Sequence, residues 1–449
     1  MVTRADVAIT WRVALALTAI VGCEGAALAN GRFPASNAVL FSPADDATVV
    51  VRVTFGLLVT RDRGKSWGWV CERAIGFSGP EDPTYVITKS GAIVVGLFDG
   101  LRVSRDGGCS WEAVKTDGTV FVDVTARSDG AILALASSYD RHGDGGSLYK
   151  TQVWISTDDA RSFAALAPRF DPTLLGETVE VAPSDPARVY VSAVRGDGVE
   201  REGVLLVSTD AGKHWTERAT RLQPKELAPF IAAVDPKNAD RIYLRTSASP
   251  ENPTRLLMTD DAGKTYVKVL GAKGPLTGFA LGGGGARVHV GGPDDGLFTV
   301  TATSLAVAET SKLKVQCLSS SGDALWACSS EGGGFIAGVS HDDGATFEPR
   351  LHLRDIAGPL ACAEGTGVAK ECGLDWAKLR RELGLGTGTG ASAGASASAG
   401  AGAGAGADAG AGVGNAREAA LARDRGAWMA AIVAALGGAA LLWRARRKR

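Results

Sequence analysis

Leu205-Leu206-Val207-Ser208-Thr209-Asp210-Ala211-Gly212-Lys213-His214-Trp215 reads as a strand, a tight turn and the start of a second strand. Its core is Ser/Thr-x-Asp-x-Gly-x-x-aromatic. Asp and Ser/Thr side chains bond the backbone N–H groups that a tight turn leaves unpaired. Glycine takes the positive φ that other residues resist. The aromatic then drops into the core between repeats.

The pattern recurs along the chain. Thr60, Asp62, Gly64 and Trp67 carry it, as do Ser104, Asp106, Gly108 and Trp111. Thr259, Asp261, Gly263 and Tyr266 carry it with tyrosine, and Ser340, Asp342, Gly344 and Phe347 with phenylalanine. A sixth copy keeps Ser156, Asp158 and Phe163 but has Ala160 in place of glycine. The aspartates at 62, 106, 158, 210, 261 and 342 are 44, 52, 52, 51 and 81 residues apart. The last step spans two repeats. The missing copy falls near residue 300, where Arg287-Val288-His289-Val290 and Leu297-Phe298-Thr299-Val300 form a strand pair without the turn motif. Seven units of this period, each with several short strands, predict a seven-bladed β-propeller. The fold class is therefore all-β.

These turns resemble the Asp-box (bacterial neuraminidase repeat) propellers, over residues 38–351. That superfamily includes sialidases, xyloglucanases, sortilin-type receptors and photosystem II assembly-factor-like proteins. The resemblance implies a fold, not one function. It also implies that Asp62, Asp106, Asp158, Asp210, Asp261 and Asp342 are structural, on turns between the outer two strands of each blade.

The chain has 449 residues and a net charge of −1, which gives no electrostatic case for nucleic acid. Residues 1–29 read as a signal peptide: Arg4 and Arg12 precede an apolar run, and Ala27-Leu28-Ala29 offers a cleavage site. Ile20-Val21-Gly22-Cys23 also resembles a lipobox, the alternative in which Cys23 is lipidated. Cleavage after Ala29 leaves six cysteines: Cys71, Cys109, Cys317, Cys328, Cys362 and Cys372. An even number in an exported chain points to disulfides. Sequence order favours the pairs Cys71–Cys109, Cys317–Cys328 and Cys362–Cys372, against free buried thiols.

Residues 352–383 read as a cysteine-bounded segment and a short amphipathic helix from Trp376 to Leu383, packed on the propeller. Residues 384–414 are almost all Gly, Ala, Ser and Thr and read as a flexible linker. Residues 426–443 are apolar and read as a single transmembrane helix, and the basic residues 444–449 as its cytoplasmic tail. The tail also resembles bacterial C-terminal sorting signals. The expected topology is an exported propeller, anchored with its blades on the periplasmic or extracellular side.

Catalytic candidates are few. Arg32-Phe33-Pro34 resembles the Arg-Ile-Pro element of sialidases, but no Tyr–Glu nucleophile pair follows, so no catalytic residue is assigned. Gly390-Ala391-Ser392-Ala393-Gly394 matches a nucleophile elbow but lies in the linker. Arg195-Gly196-Asp197 matches an adhesion tripeptide by chance. His142, His214, His289, His341 and His352 show no ligand spacing; Asp140, His142 and Asp144 share one loop, read as solvated. No metal site and no cofactor is assigned.

What remains is a binding surface. The longest insertions between second and third strands fall in blades three, four and five. They carry Tyr139, Asp140, Arg141, His142, Asp144, Arg195, Asp197, Glu200, Arg201, Glu202 and Glu251. The expected function is a membrane-anchored module that binds a protein or glycan of the bacterial cell envelope, acting as a monomer. The alternatives are a sialidase-like glycosidase and an assembly factor for a membrane complex.

Overall fold

A computed structural model describes residues 35–385, apart from 79–80, 117, 144–145, 197–200 and 249–251. The signal peptide, Cys23, almost all of the linker, the apolar stretch and the basic tail lie outside the described residues.

The described residues form seven sheets. Blade one is β1 (Ser36–Phe41), β2 (Val49–Val53), β3 (Gly56–Thr60) and β4 (Trp67–Val70). Blade two is β5 (Thr84–Ile87), β6 (Ile93–Leu97), β7 (Gly100–Ser104) and β8 (Glu112–Val114). Blade three is β9 (Phe121–Ala126), β10 (Ile132–Gly143), β11 (Gly146–Ser156) and β12 (Ala164–Ala165). Blade four is β13 (Leu174–Ala182), β14 (Asp185–Arg195), β15 (Glu202–Ser208) and β16 (Thr216–Ala219). Blade five is β17 (Glu226–Val234), β18 (Ile242–Ala248), β19 (Thr254–Thr259) and β20 (Val267–Ala272). Blade six is β21 (Gly278–Gly282), β22 (Arg287–Gly292), β23 (Gly296–Thr301) and β24 (Val307–Ser311). Blade seven is β25 (Cys317–Ser321), β26 (Ala324–Cys328), β27 (Ala337–Ser340) and β28 (Glu348–Leu351).

Every blade is an antiparallel meander in chain order. The first strand of each blade touches the first strands of its two neighbours, and β25 closes back onto β1. First strands are therefore innermost, and the ring is complete. Apolar residues on both faces of the second and third strands fill the seams, with Val50, Leu57, Leu58, Leu133, Val191 and Leu244 all fully buried. Burial on both faces selects the near-continuous β-branched and leucine runs of the sequence.

The recurrent turns behave as their residue types require. Asp210 Oδ1 accepts from Lys213 N (3.1 Å) and His214 N (2.9 Å), and Ser208 Oγ accepts from Gly212 N (2.8 Å). The same bonds recur at Asp62 with Lys65 and Ser66, and at Asp261 with Lys264 and Thr265. In blade three Ala160 takes the glycine's left-handed conformation, φ 59°. Trp67 is buried at 1% exposure, while Trp111, Trp215, Tyr266 and Phe347 are partly covered. Blade six lacks the motif, as expected.

The ring is not closed by exchanging a strand between the first and last blades. Instead an arm continues past β28. Residues of β29 (Ile356–Pro359) pair in parallel with β4 and make blade one five-stranded. A short helix, α1 (Glu72–Ile75), follows β4, and the arm ends in α2 (Gly367–Glu382), which packs on α1 and β4. Thr366 caps α2, its hydroxyl accepting from Ala369 N at 3.4 Å. The expected short helix at Trp376 thus begins nine residues earlier and takes in Cys372.

All six expected cysteines are disulfide-bonded, but two pairings differ from the expectation. The bonds are Cys71–Cys372, Cys109–Cys362 and Cys317–Cys328. Only the last is a near neighbour, an in-register pair across β25 and β26. Cys71–Cys109 and Cys362–Cys372 do not form, because the arm returns to the start of the ring. There it meets the end of β4 and the turn of blade two. Three disulfides fit an oxidising, exported environment.

Candidate functional site

Because strands alternate in direction, the connections between second and third strands and those between blades share one face. The Asp turns lie on the other. The insertions of blades three to five thus open on a single face.

In blades three and four the described parts are built as extensions of the strands rather than as loops. In blade three the pairing of β10 and β11 runs on through Ser138↔Lys150 and Tyr139↔Tyr149 to Gly143↔Gly146. Polar–apolar alternation past Leu135 supports this, since Ser137, Tyr139, Tyr149 and Thr151 continue the register of Leu133 and Val153. Tyr139 is 42% exposed and sits edge-on to Tyr149, with ring centroids 6.3 Å apart. Asp140 pairs with Lys150 at 2.7 Å, which holds its carboxyl below the usual range, and with Arg141 at 3.4 Å. Arg141 and His142 are exposed beside it.

In blade four the β14–β15 ladder reaches Arg195↔Glu202. Arg195 bonds Glu217 at 2.7 Å and Glu202 at 3.4 Å. The connection 171–173 joins the two hairpins: Tyr149 N donates to Pro172 O (2.7 Å) and Arg195 Nε to Thr173 Oγ1 (3.1 Å). Arg201 Nη1 reaches Leu227 O of blade five at 3.5 Å. Tyr139, Asp140, Arg141 and His142 therefore share one hairpin end, and Arg195, Arg201 and Glu202 the next. Asp144, Asp197, Glu200 and Glu251 lie outside the described residues.

Carboxylates on the inner strands were not singled out from the sequence. Asp123 on β9 accepts from Val179 N (2.9 Å) and Val124 N (3.0 Å). Glu180 on β13 accepts from Thr125 Oγ1 (3.2 Å). The bonds to Val179 and from Thr125 cross the seam between blades three and four. Desolvation pushes Glu180 up to about 7. Asp123 is raised well above its ordinary range, by desolvation first and by the charge of Glu180 second. The available signal was a charged residue inside a β-branched run, Val122-Asp123-Val124 and Val179-Glu180-Val181.

In blade five Glu226 is buried at 6% exposure. Arg255 holds it through Nε (2.7 Å) and Nη2 (2.6 Å), and Thr246 Oγ1 donates to it at 2.7 Å. The described inner strands carry Asp123, Glu177, Glu180 and Glu226 and no Lys, Arg or His. Among those strands nothing offers a guanidinium cluster to a sugar carboxylate. Among the described residues no group of three or more His, Cys, Asp or Glu could hold a metal ion. Nor is any described helix long and apolar enough to cross a membrane.

The fold is a seven-bladed β-propeller. No protein-family model matches the chain, and no curated protein matches it. Among solved structures it is similar to an ancestral GH74 enzyme, with TM-score 0.49 and 15% identity over 66% of this chain and 44% of that one. It is similar to the GH74 xyloglucanase of Xanthomonas campestris, with TM-score 0.35 and 16% identity over 73% and 65%. Kuenenia stuttgartiensis hydrazine synthase matches with TM-score 0.48 and 12% identity over 68% and 95%. The chain thus spans less than half the length of the first of these. At such scores the likenesses carry no argument about activity, substrate or partner.

Proposed function

We propose that this chain is an Asp-box propeller, exported and membrane-anchored, that binds a protein or glycan of the cell envelope. The binding surface is the face of blades three to five. The observation that carries this reading is the pair of lengthened hairpins, β10–β11 and β14–β15. They are tied together through 171–173 and present Tyr139 to solvent beside Asp140 and Arg141. A rigid hairpin that exposes an aromatic among charged groups is a common form of recognition surface. Three disulfides support export. The apolar stretch 426–443 supports an anchor.

One observation favours a second reading, a glycosidase. Asp123 and Glu180 are coupled carboxylates with raised pKa, the condition for a general acid. Both readings meet one experiment: capture from envelope proteins and glycans by the disulfide-intact protein, alongside a hydrolysis screen on fluorogenic glycosides. Capture without turnover, lost on mutating Tyr139 and Arg141, supports the binding module. Turnover lost in Glu180→Gln overturns it.

A further inference from the structure

The seven blades are complete at β28, so the arm that follows is an addition to the ring. Residues 352–383 lie along the outer edge of blade one and reach blade two. Backbone bonds hold them: the β29–β4 pairs, Leu360 N to Trp69 O (2.8 Å) and Val368 N to Cys109 O (3.1 Å). On α2 only Val368, Cys372 and Leu379 are buried. An open cleft of about 250 Å³ remains between α2 and blade one, lined by Phe55, Trp69, Phe77 and Leu379. The arm's apolar grip is confined to blade one, where Ile356, Leu360, Val368 and Leu379 join the core of Trp69 and Val70 and the Trp376 ring lies 5.8 Å from that of Trp69. The covalent links to Cys71 and Cys109 pin it at two points beyond that packing.

The two links are not equivalent. Cys71 is 3% exposed and Cys372 0%. Cys362 is partly exposed and its partner Cys109 is 6% exposed. Arg61 Nη2 lies 3.6 Å from Cys109 Sγ. A guanidinium beside a sulfur stabilises its thiolate, and a stabilised thiolate leaves faster in thiol–disulfide exchange. Cys362 therefore offers the sulfur that an incoming thiolate can reach, and Cys109 the better leaving group. Cys317–Cys328 lies buried within one hairpin, at 4% and 0% exposure, and closes nothing but that hairpin.

We propose that the arm is a clasp released stepwise by a dithiol reductant, beginning at Cys109–Cys362. A reductant thiolate attacks Cys362 Sγ, the Cys109–Cys362 bond breaks, and Cys109 departs as a thiolate beside Arg61 and then takes a proton. The second thiol of the reductant resolves the mixed disulfide, freeing Cys362 as a thiol while the reductant leaves oxidised. Once 360–366 is loose, the same exchange opens Cys71–Cys372. Release uncovers Trp69 and the outer edge of β4, and leaves the seven meanders intact. The proposal does not depend on what the face of blades three to five binds.

The test is timed reduction of the intact protein with dithiothreitol, quenched by alkylation and read by peptide mass spectrometry. Cys109 and Cys362 should be labelled first, then Cys71 and Cys372, and Cys317 and Cys328 last. Tryptophan emission should shift red and a protease should cut within 352–385 at the second step, while the far-ultraviolet strand signal stays. Arg61→Gln should slow the first step by about threefold or more, with Arg61→Lys nearer the parent. If Arg61→Gln perturbs its turn, the order of labelling in the parent protein still decides. Simultaneous labelling of all six, Cys71–Cys372 opening first, or an arm that stays protease-resistant after both bonds open would overturn the proposal.

Discussion

Gly212 and Leu166 touch across the seam between blades four and three. A Cβ built on Gly212, whose φ is 91°, would lie 2.5 Å from Leu166 Cδ2. Gly263 stands in the same relation to Leu205 of blade four (2.6 Å), and Gly344 to Leu297 of blade six. The turn glycine thus has two jobs. It takes the left-handed backbone conformation, and in blades four, five and seven it lets the turn close on the preceding blade. Gly212→Ala meets both penalties, backbone strain and overpacking, and should cost about 2–4 kcal/mol. Ala160, in the same position of blade three, already holds φ 59° within the apolar contacts of blade two. Ala160→Gly trades relieved strain against lost packing and should stay within about 1 kcal/mol of neutral. Urea midpoints of the two variants check the contrast.

Five turn aspartates, Asp62, Asp158, Asp210, Asp261 and Asp342, weaken the fold in acid. Side-chain bonds from Ser66 and Thr60, with backbone bonds from Ser66 and Lys65, hold Asp62 at about 2. Thr346 first, then Ser340, does the same for Asp342, also at about 2. Asp158, Asp210 and Asp261 are lowered as well. A depressed folded pKa gives stability that is present above the unfolded pKa and lost as pH falls through the folded one. The urea midpoint should therefore fall between about pH 4 and about pH 2. Asp261→Asn keeps an acceptor for Lys264 N and Thr265 N and should show a smaller fall over that window.

Glu180 has the opposite sign. Its pKa rises from 4.5 unfolded to about 7 folded, because desolvation disfavours the charged form. Between those values the native state binds more protons than the unfolded one. Stability then declines as pH rises from about 4.5 to about 7. Glu180→Gln keeps an acceptor for Thr125 Oγ1 and should flatten that decline. Asp123, raised by the same cause, adds to the slope in the parent protein. Midpoints at several pH values read the difference directly.

The turns were legible because everything they need lies within a few residues: Ser208, Asp210 and Gly212 bond one another's backbone. Seven repeats followed from their spacing, with blade six inferred from the gap. Cys317–Cys328 was legible for the same local reason, since one hairpin brings both together. Cys71–Cys372 was not, because its partners lie 301 residues apart and their meeting depends on where the arm docks after the ring closes. Asp123 and Glu180 showed in the sequence only as single charges inside β-branched runs. A carboxylate in a short strand reads as a solvent-facing residue until the ring order puts that strand innermost. At the hairpins the register of Leu133 and Leu135 simply continues to Tyr139, although the polar composition beyond Ser137 reads as a loop.

The hairpin of blade three offers a separation of binding from folding along one strand. Ser137 is buried, shares a 3.0 Å bond with Thr151 Oγ1 and accepts from Gly176 N at 3.0 Å. It ties blade three to blade four below the surface. Tyr139, two residues on, points the same way but stands in solvent, and Arg141 is more exposed still. Ser137→Ala orphans Gly176 N in part and should cost about 1–2 kcal/mol of stability. Tyr139→Ala and Arg141→Glu should leave the melting temperature nearly unchanged, as exposed substitutions do, within about 0.5 kcal/mol. If the hairpin end is the recognition surface, those two variants should weaken partner capture by about tenfold or more, the loss of an exposed aromatic or arginine anchor. Calorimetry and capture on the same three proteins then give opposite rankings. Equal capture by all three would move the binding surface off blade three.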